Sequence, residues 1–208
     1  MKTQVQSRSR GFTLIEMVGV LAIIAILAAL LIPRIFAAIN ESRLNNAVLS
    51  VNTAKSAAIA YFGKYGAFGG TNGVELGATT TNWDVTVLLP EGLLEKPFTT
   101  RLSTSTAGKP NDVQLILPTG LAKGGEVDAT KNDGSFDLDY DEHNDVVGKW
   151  CVTAVIYGVA VEDAIELNNR IDGDADKLTA GATSSNKGRV KFTASNGLAD
   201  VFIYLAHK

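Results

Sequence analysis

The chain has 208 residues, enough for one domain of ordinary size with a long helix to spare. Its formal net charge of −3 argues against a non-specific nucleic-acid binder, which needs clustered Lys and Arg. A single cysteine, Cys151, excludes an internal disulfide, and a lone thiol of this kind is expected to be buried rather than reactive.

Residues 1–10 carry Lys2, Arg8 and Arg10 and no acid. They precede an apolar run, 12–32, in which Thr13 and Glu16 are the only polar side chains. As a helix that run spans roughly 30 Å, about one bilayer hydrocarbon core. The basic leader should stay cytoplasmic and the rest of the chain should face out. Glu16 is the anomaly. A carboxylate in a membrane helix costs several kcal/mol unless it is neutralised or paired, so it marks function. An ordinary secretory signal peptide is the alternative, with Ala37-Ala38 as its cleavage site, although the run is longer than such a peptide needs.

The order of features here is basic leader, Gly11, Phe12, Thr13-Leu14-Ile15, Glu16, apolar helix and Pro33. It resembles the processing site of type IV pilin-like proteins, which include pilus subunits and the pseudopilins of type II secretion. The resemblance implies cutting after Gly11 by a prepilin peptidase and N-methylation of Phe12. Methylation leaves the new amine positive. Glu16 lies four residues on, along the same helix face, so amine and carboxylate can pair within one chain or between neighbours. The resemblance implies the second arrangement, with Glu16 setting register during assembly. Protonation of Glu16 in lipid is the plain alternative.

Pro33 removes one helical hydrogen bond and clashes with the carbonyl of Ala29, which predicts a kink there. The family often has a glycine eight residues before this proline; here that position is Ala25, and the glycine is Gly19. Beyond Pro33 the helix continues as an amphipathic one. Leu44, Ala47, Val51, Ala54, Ala58, Tyr61 and Tyr65 repeat at spacings of three and four, with Val48, Ile59 and Phe62 widening the stripe. Glycines near 63–66 should end it. The whole helix, 12–64, would be roughly 80 Å long.

Residues 66–82 read as loop. A short helix over 83–89, capped by Thr81 or Asn82, competes with a strand there, because Val85 and Val87 alternate. Residues 90–97 form a turn and short apolar anchor, and 99–111 are loop. A buried strand is expected at 113–117 and a glycine-rich loop at 118–135. Residues 136–141 alternate apolar and acidic, which predicts a strand with Phe136, Leu138 and Tyr140 inward and Asp137, Asp139 and Asp141 outward. That acidic row is either a solvated face or a cation site. Strand 150–157, helix 161–171 and closing strands 189–193 and 199–205 follow, the last two joined by a turn at Ser195-Asn196-Gly197.

These elements predict an α+β fold, a long N-terminal helix packed on an antiparallel sheet, and the family shares it. The organisation expected is a leader peptide at 1–11, a transmembrane or filament-core half-helix at 12–33, an amphipathic half-helix at 34–65 and a globular β-sheet domain at 66–208. Asp172, Asp174 and Asp176 stand at alternate positions of a loop, a pattern suited to Ca2+. Some pseudopilins use a calcium loop where pilins use a disulfide, and a plain solvated turn is the alternative. His143 and His207 have no metal-ligand spacing, and no nucleophile or phosphate motif is present, so no enzyme is expected. A membrane-tethered enzyme is the opposing class. The function implied is a structural subunit of a pilus-like filament, or of a secretion pseudopilus. Its partners would be copies of itself, the peptidase, and an inner-membrane assembly platform with its ATPase. The precursor would be a single-pass inner-membrane protein, later found in a periplasmic or surface filament.

Overall fold

The computed structural model describes residues 11–102, 111–118, 124–146 and 148–208. The leader, residues 1–10, and parts of the loops expected at 99–111 and 118–135 lie outside them. The chain divides into two compact units, Met1–Ser42 and Arg43–Lys208.

One helix, α1 (Leu14–Tyr65), supplies all the regular structure among the described residues of the first unit and begins the second. Helical structure continues on both sides of Pro33. From Leu14 to Ile39 α1 is apolar around its circumference apart from Glu16 and Arg34, and its side chains are exposed except for the half-buried Ala28. In the second unit only one stripe is apolar. Leu44, Ala47, Val51, Ala54, Ala57, Ala58 and Tyr61 are buried there. Val48 and Phe62 pack beside them, but Ile59 does not widen the stripe; it is 53% exposed. The helix stops where Gly66 takes a left-handed φ of 71° and its N–H reaches the Phe62 carbonyl at 2.7 Å.

The sheet has five antiparallel strands in the order β1-β2-β5-β4-β3. They are β1 (Asp112–Ile116), β2 (Cys151–Ala160), β3 (Ser184–Ser185), β4 (Val190–Ser195) and β5 (Leu198–His207). The turn between β4 and β5 is the expected one, with left-handed φ at Asn196 (54°) and Gly197 (78°). A second helix, α2 (Val161–Asp172), follows β2 directly and buries Ala164, Ile165 and Leu167 in the core. Edge strand β3 was not expected: two serines carry no apolar alternation.

Side-chain alternation gives the sheet two different faces. Val152, Ala154, Ile156, Val190, Phe192, Val201, Ile203 and Leu205 share one apolar cluster with the α1 stripe, Trp83 and Leu88. Cys151, Val155 and Phe202 belong to a second, smaller cluster with Ile116, Phe136 and Val146. The loop around Phe136 covers that second face.

Residues 136–141 are therefore loop rather than strand. Carboxylates compete here with a sheet ladder for backbone N–H groups. Asp137 accepts from the N–H of Asp141 and of Glu142, each at 3.0 Å. Asp145 accepts from Leu138 at 2.7 Å and Asp139 at 3.0 Å. Tyr140 and Glu142 take left-handed φ values of 69° and 74°, which an extended strand does not allow. Asp137, expected outward, is fully buried.

The segment at 83–89 is helical, as a π-helical turn over Asp84–Leu88, so the strand alternative fails. Neither Thr81 nor Asn82 caps it through a side chain. The buried Asp84 carboxylate instead accepts from the N–H of Phe98 at 2.7 Å and of Val113 at 3.2 Å, tying the following loop to β1.

Candidate functional site

The N-terminal end of α1 is built by its own sequence. Thr13 stands immediately before the first helical residue and Glu16 is the third residue inside. The Glu16 carboxylate accepts from the Thr13 N–H and from the Thr13 hydroxyl, both at 2.8 Å. The Glu16 N–H returns a longer bond to the Thr13 hydroxyl oxygen, 3.4 Å. This is a capping box: two N–H groups that a helix start leaves unpaired are satisfied reciprocally. The T-x-x-E spacing before an apolar run encodes this box in the sequence. In the uncut chain Glu16 is held by Thr13 within its own turn.

Around that cap everything else is apolar. Phe12 is 78% exposed and Gly11 is exposed. From Glu16 to Arg34 the helix carries no other charge. Helix α1 is long and apolar enough to cross a membrane, and none of its most apolar window is buried within the protein.

Residues 6–32 match the prokaryotic N-terminal methylation motif. The chain carries a type IV pilin-type leader. The match spans Gly11, Phe12 and Glu16, and ends one residue before Pro33. No curated protein and no solved structure matches the chain. The pilin-like character thus rests on the leader signature and on the long helix packed against an antiparallel sheet.

The structure does not gather Asp172, Asp174 and Asp176 into one site. Each carboxylate faces different partners. The Asp172 side chain is fully buried at the end of α2 and accepts from the N–H of Arg189 and of Val190, both at 3.0 Å, with the Arg189 guanidinium beside it. Burial raises its carboxyl above the ordinary range, and these bonds oppose that. Asp174 is almost wholly in solvent, 3.7 Å from Lys177. Asp176 accepts from Asn168 Nδ2 at 3.1 Å and from the Ser185 hydroxyl at 2.8 Å. The loop is a short 3₁₀ turn, Gly173–Asp176, and alternate spacing in such a turn sends the side chains apart.

Among the described residues, three other carboxylates converge. Oxygens of Asp137, Asp139 and Asp145 lie within 4.8 Å of one another. They are hard oxygen donors of the kind calcium takes. Both Asp137 oxygens and one Asp145 oxygen accept backbone N–H groups, which shapes the loop. The two histidines serve local contacts. His143 sits against Asp141, and the His207 ring meets the Tyr204 hydroxyl at 2.6 Å.

Cys151 is fully buried beneath the second face, and burial pushes its thiol up to about 12. It is inert packing, as expected of a lone cysteine. On the same face Lys191 is 1% exposed, bonded to Asp133 at 2.8 Å and Ser135 at 3.2 Å, with its ammonium 4.8 Å from the Phe136 ring centre. Nothing in the local sequence distinguishes this buried lysine from a solvated one.

Proposed function

We propose that the chain is a structural subunit of a type IV pilus-like filament, cut after Gly11 by a prepilin peptidase and N-methylated on Phe12. The observation that carries this reading is the methylation motif lying on an exposed apolar helix whose first turn holds Glu16. The precursor sits in the inner membrane with its leader in the cytoplasm, and an assembly platform with its ATPase lifts it into the filament. The role is structural rather than catalytic. Burial of apolar half-helices against one another replaces lipid, with packing as the driving force because lipid is equally apolar. Identical subunits joined head to tail through unlike surfaces give an open helix. A secretion pseudopilus is the second reading. The single cysteine favours it, since no disulfide can staple the globular part.

The capping box gives Glu16 two successive partners. In the membrane the carboxylate is satisfied by Thr13 of its own chain. Cutting after Gly11 turns the Phe12 amide nitrogen into a charged amine. In the filament the Phe12 amine of an adjacent subunit then meets Glu16 and sets the register. Glu16→Ala leaves insertion and cutting intact, because the run becomes more apolar and Gly11 is untouched. It lowers filament assembly, because each contact then buries an unpaired amine at a cost of several kcal/mol. Sheared-filament yield beside membrane-pool abundance measures this. Normal filament yield from Glu16→Ala at equal subunit level would remove Glu16 from the assembly mechanism.

A further inference from the structure

Charges in the second unit are arranged unevenly about the sheet. Lys64, Lys149, Lys187 and Lys191 each hold a carboxylate of the same unit. Lys96 and Arg101 hold none among the described residues. Both stand on the wall of a groove of about 990 Å³ between loop 93–101 and the outward side of α1. Leu49 and Thr53 line its helix side and Leu94 its loop side; Glu95 is the acid on that wall. Leu49 is 62% exposed, so the groove sets an exposed apolar side chain beside two cations that hold no carboxylate.

The opposite face of the sheet carries the complement. Loop 137–145 covers that face and exposes Asp139 and Asp141 to solvent. Asp141 has His143 beside it, and Lys187 is taken up by the neighbouring Glu142. Oxygens of Asp137, Asp139 and Asp145 crowd together there; desolvation raises the Asp139 carboxyl, the Asp141 N–H opposes this, and the neighbouring aspartates add to the rise. The backbone bonds to Asp137 and Asp145 fix the loop, so little conformational entropy is lost when it docks.

We propose that loop 137–145 of one copy docks in the Lys96–Arg101 groove of a second copy. The charges are complementary and the two surfaces lie on opposite faces of one sheet. A two-fold pair cannot satisfy both, so the contact is heterologous and repeats from copy to copy. Its place in an assembly rests on the filament reading above.

Full-length chains in isolated membranes test it by cysteine cross-linking. Thr99 and His143 are exposed, one on each surface, and the native Cys151 is buried. On oxidation, Thr99→Cys/His143→Cys forms a ladder of multimers, and either single variant does not cross-link with itself. Lys96→Glu/Arg101→Glu in the double-cysteine chain lowers the ladder about tenfold at low salt. Adding Asp139→Lys/Asp141→Lys restores it. Efficient dimers from a single-cysteine chain would show a two-fold contact and overturn the proposal. A ladder indifferent to charge reversal but lost on chelation would assign the loop to a divalent cation and overturn it too. No ladder from cells that make wild-type filaments would sink the docking contact and leave the filament reading standing. A charge-sensitive ladder without filaments would support the contact and sink the filament reading.

Discussion

The two faces of the sheet are held by different physics. On the α1 side the contact is almost wholly apolar. Small alanines of the helix stripe meet Val, Ile and Phe from β2, β4 and β5, and two aromatic residues close the end. Those aromatics, Tyr61 and Trp83, are fully buried and send their polar tips to the Gly70 and Gly69 carbonyls at 2.5 and 2.6 Å. Gly69 is required there, because a Cβ would come within 2.4 Å of the Val74 carbonyl oxygen. On the other side a loop is fastened by Asp137, Asp145, Asp133 and Lys191. The first face gains from every Å² removed from water; the second holds only while each polar group keeps its partner.

Truncation on the apolar face should cost most. Tyr61→Ala leaves a cavity, a Gly70 carbonyl with only the Gly73 N–H as donor, and two lost ring contacts, with Tyr65 and Trp83. The expected loss is about 4 kcal/mol, read from urea unfolding of residues 43–208. Next comes the charged fastening. Lys191→Ala leaves the Asp133 carboxylate its bonds from Ser135 but no counter-charge and opens a hole under Phe136, at a cost of about 3 kcal/mol. The sharper arm is Lys191→Met/Asp133→Asn, whose neutral Oδ1 still accepts from the buried Ser135, and which should recover most of that loss. A double variant as unstable as the single one would mean that Lys191 contributes by packing and not by charge.

The smallest effect is a pH dependence at the rim of the apolar face. Glu91 accepts from Lys64 Nζ at 2.8 Å, and from the Tyr65 hydroxyl and the Asn72 N–H at 2.5 Å each. The Lys64 bond first, then those of Tyr65 and Asn72, lower its carboxyl to about 2. A depressed carboxyl adds stability above its unfolded value of about 4.3, and that stability is lost as pH falls towards the folded one. Acid titration of the melting temperature should therefore fall less steeply in Glu91→Gln than in wild type between about pH 5 and about pH 2. Parallel curves would show that the clamp does not report on folding.

The contrast also marks what the sequence could tell. The α1 stripe was legible because burial on a helix repeats every three or four residues, and Leu44 to Tyr61 obey that rule. Strands β2, β4 and β5 were legible from their β-branched runs, and the β4–β5 turn from Asn196-Gly197. The second face was not. Alternation at 136–141 is what a half-buried strand shows, but the same aspartates can bind their own backbone, and here they do. The carboxylates of Asp172, Asp174 and Asp176, expected to share a calcium, stand apart for a related reason. Spacing says which carboxylates are near in sequence, while the 3₁₀ turn decides where they point. At the N-terminal site the position of Glu16 was plain and its bond to Thr13 was not drawn, although T-x-x-E before an apolar run encodes it.

The central claim is that this chain is processed and assembled as a pilin-like subunit, and the mature N-terminus tests it most directly. Intact mass and N-terminal peptide mapping of the protein recovered from membranes and filaments should both give a chain starting at N-methylated Phe12. A chain starting near Ala38, or one retaining residues 1–11, would contradict the account.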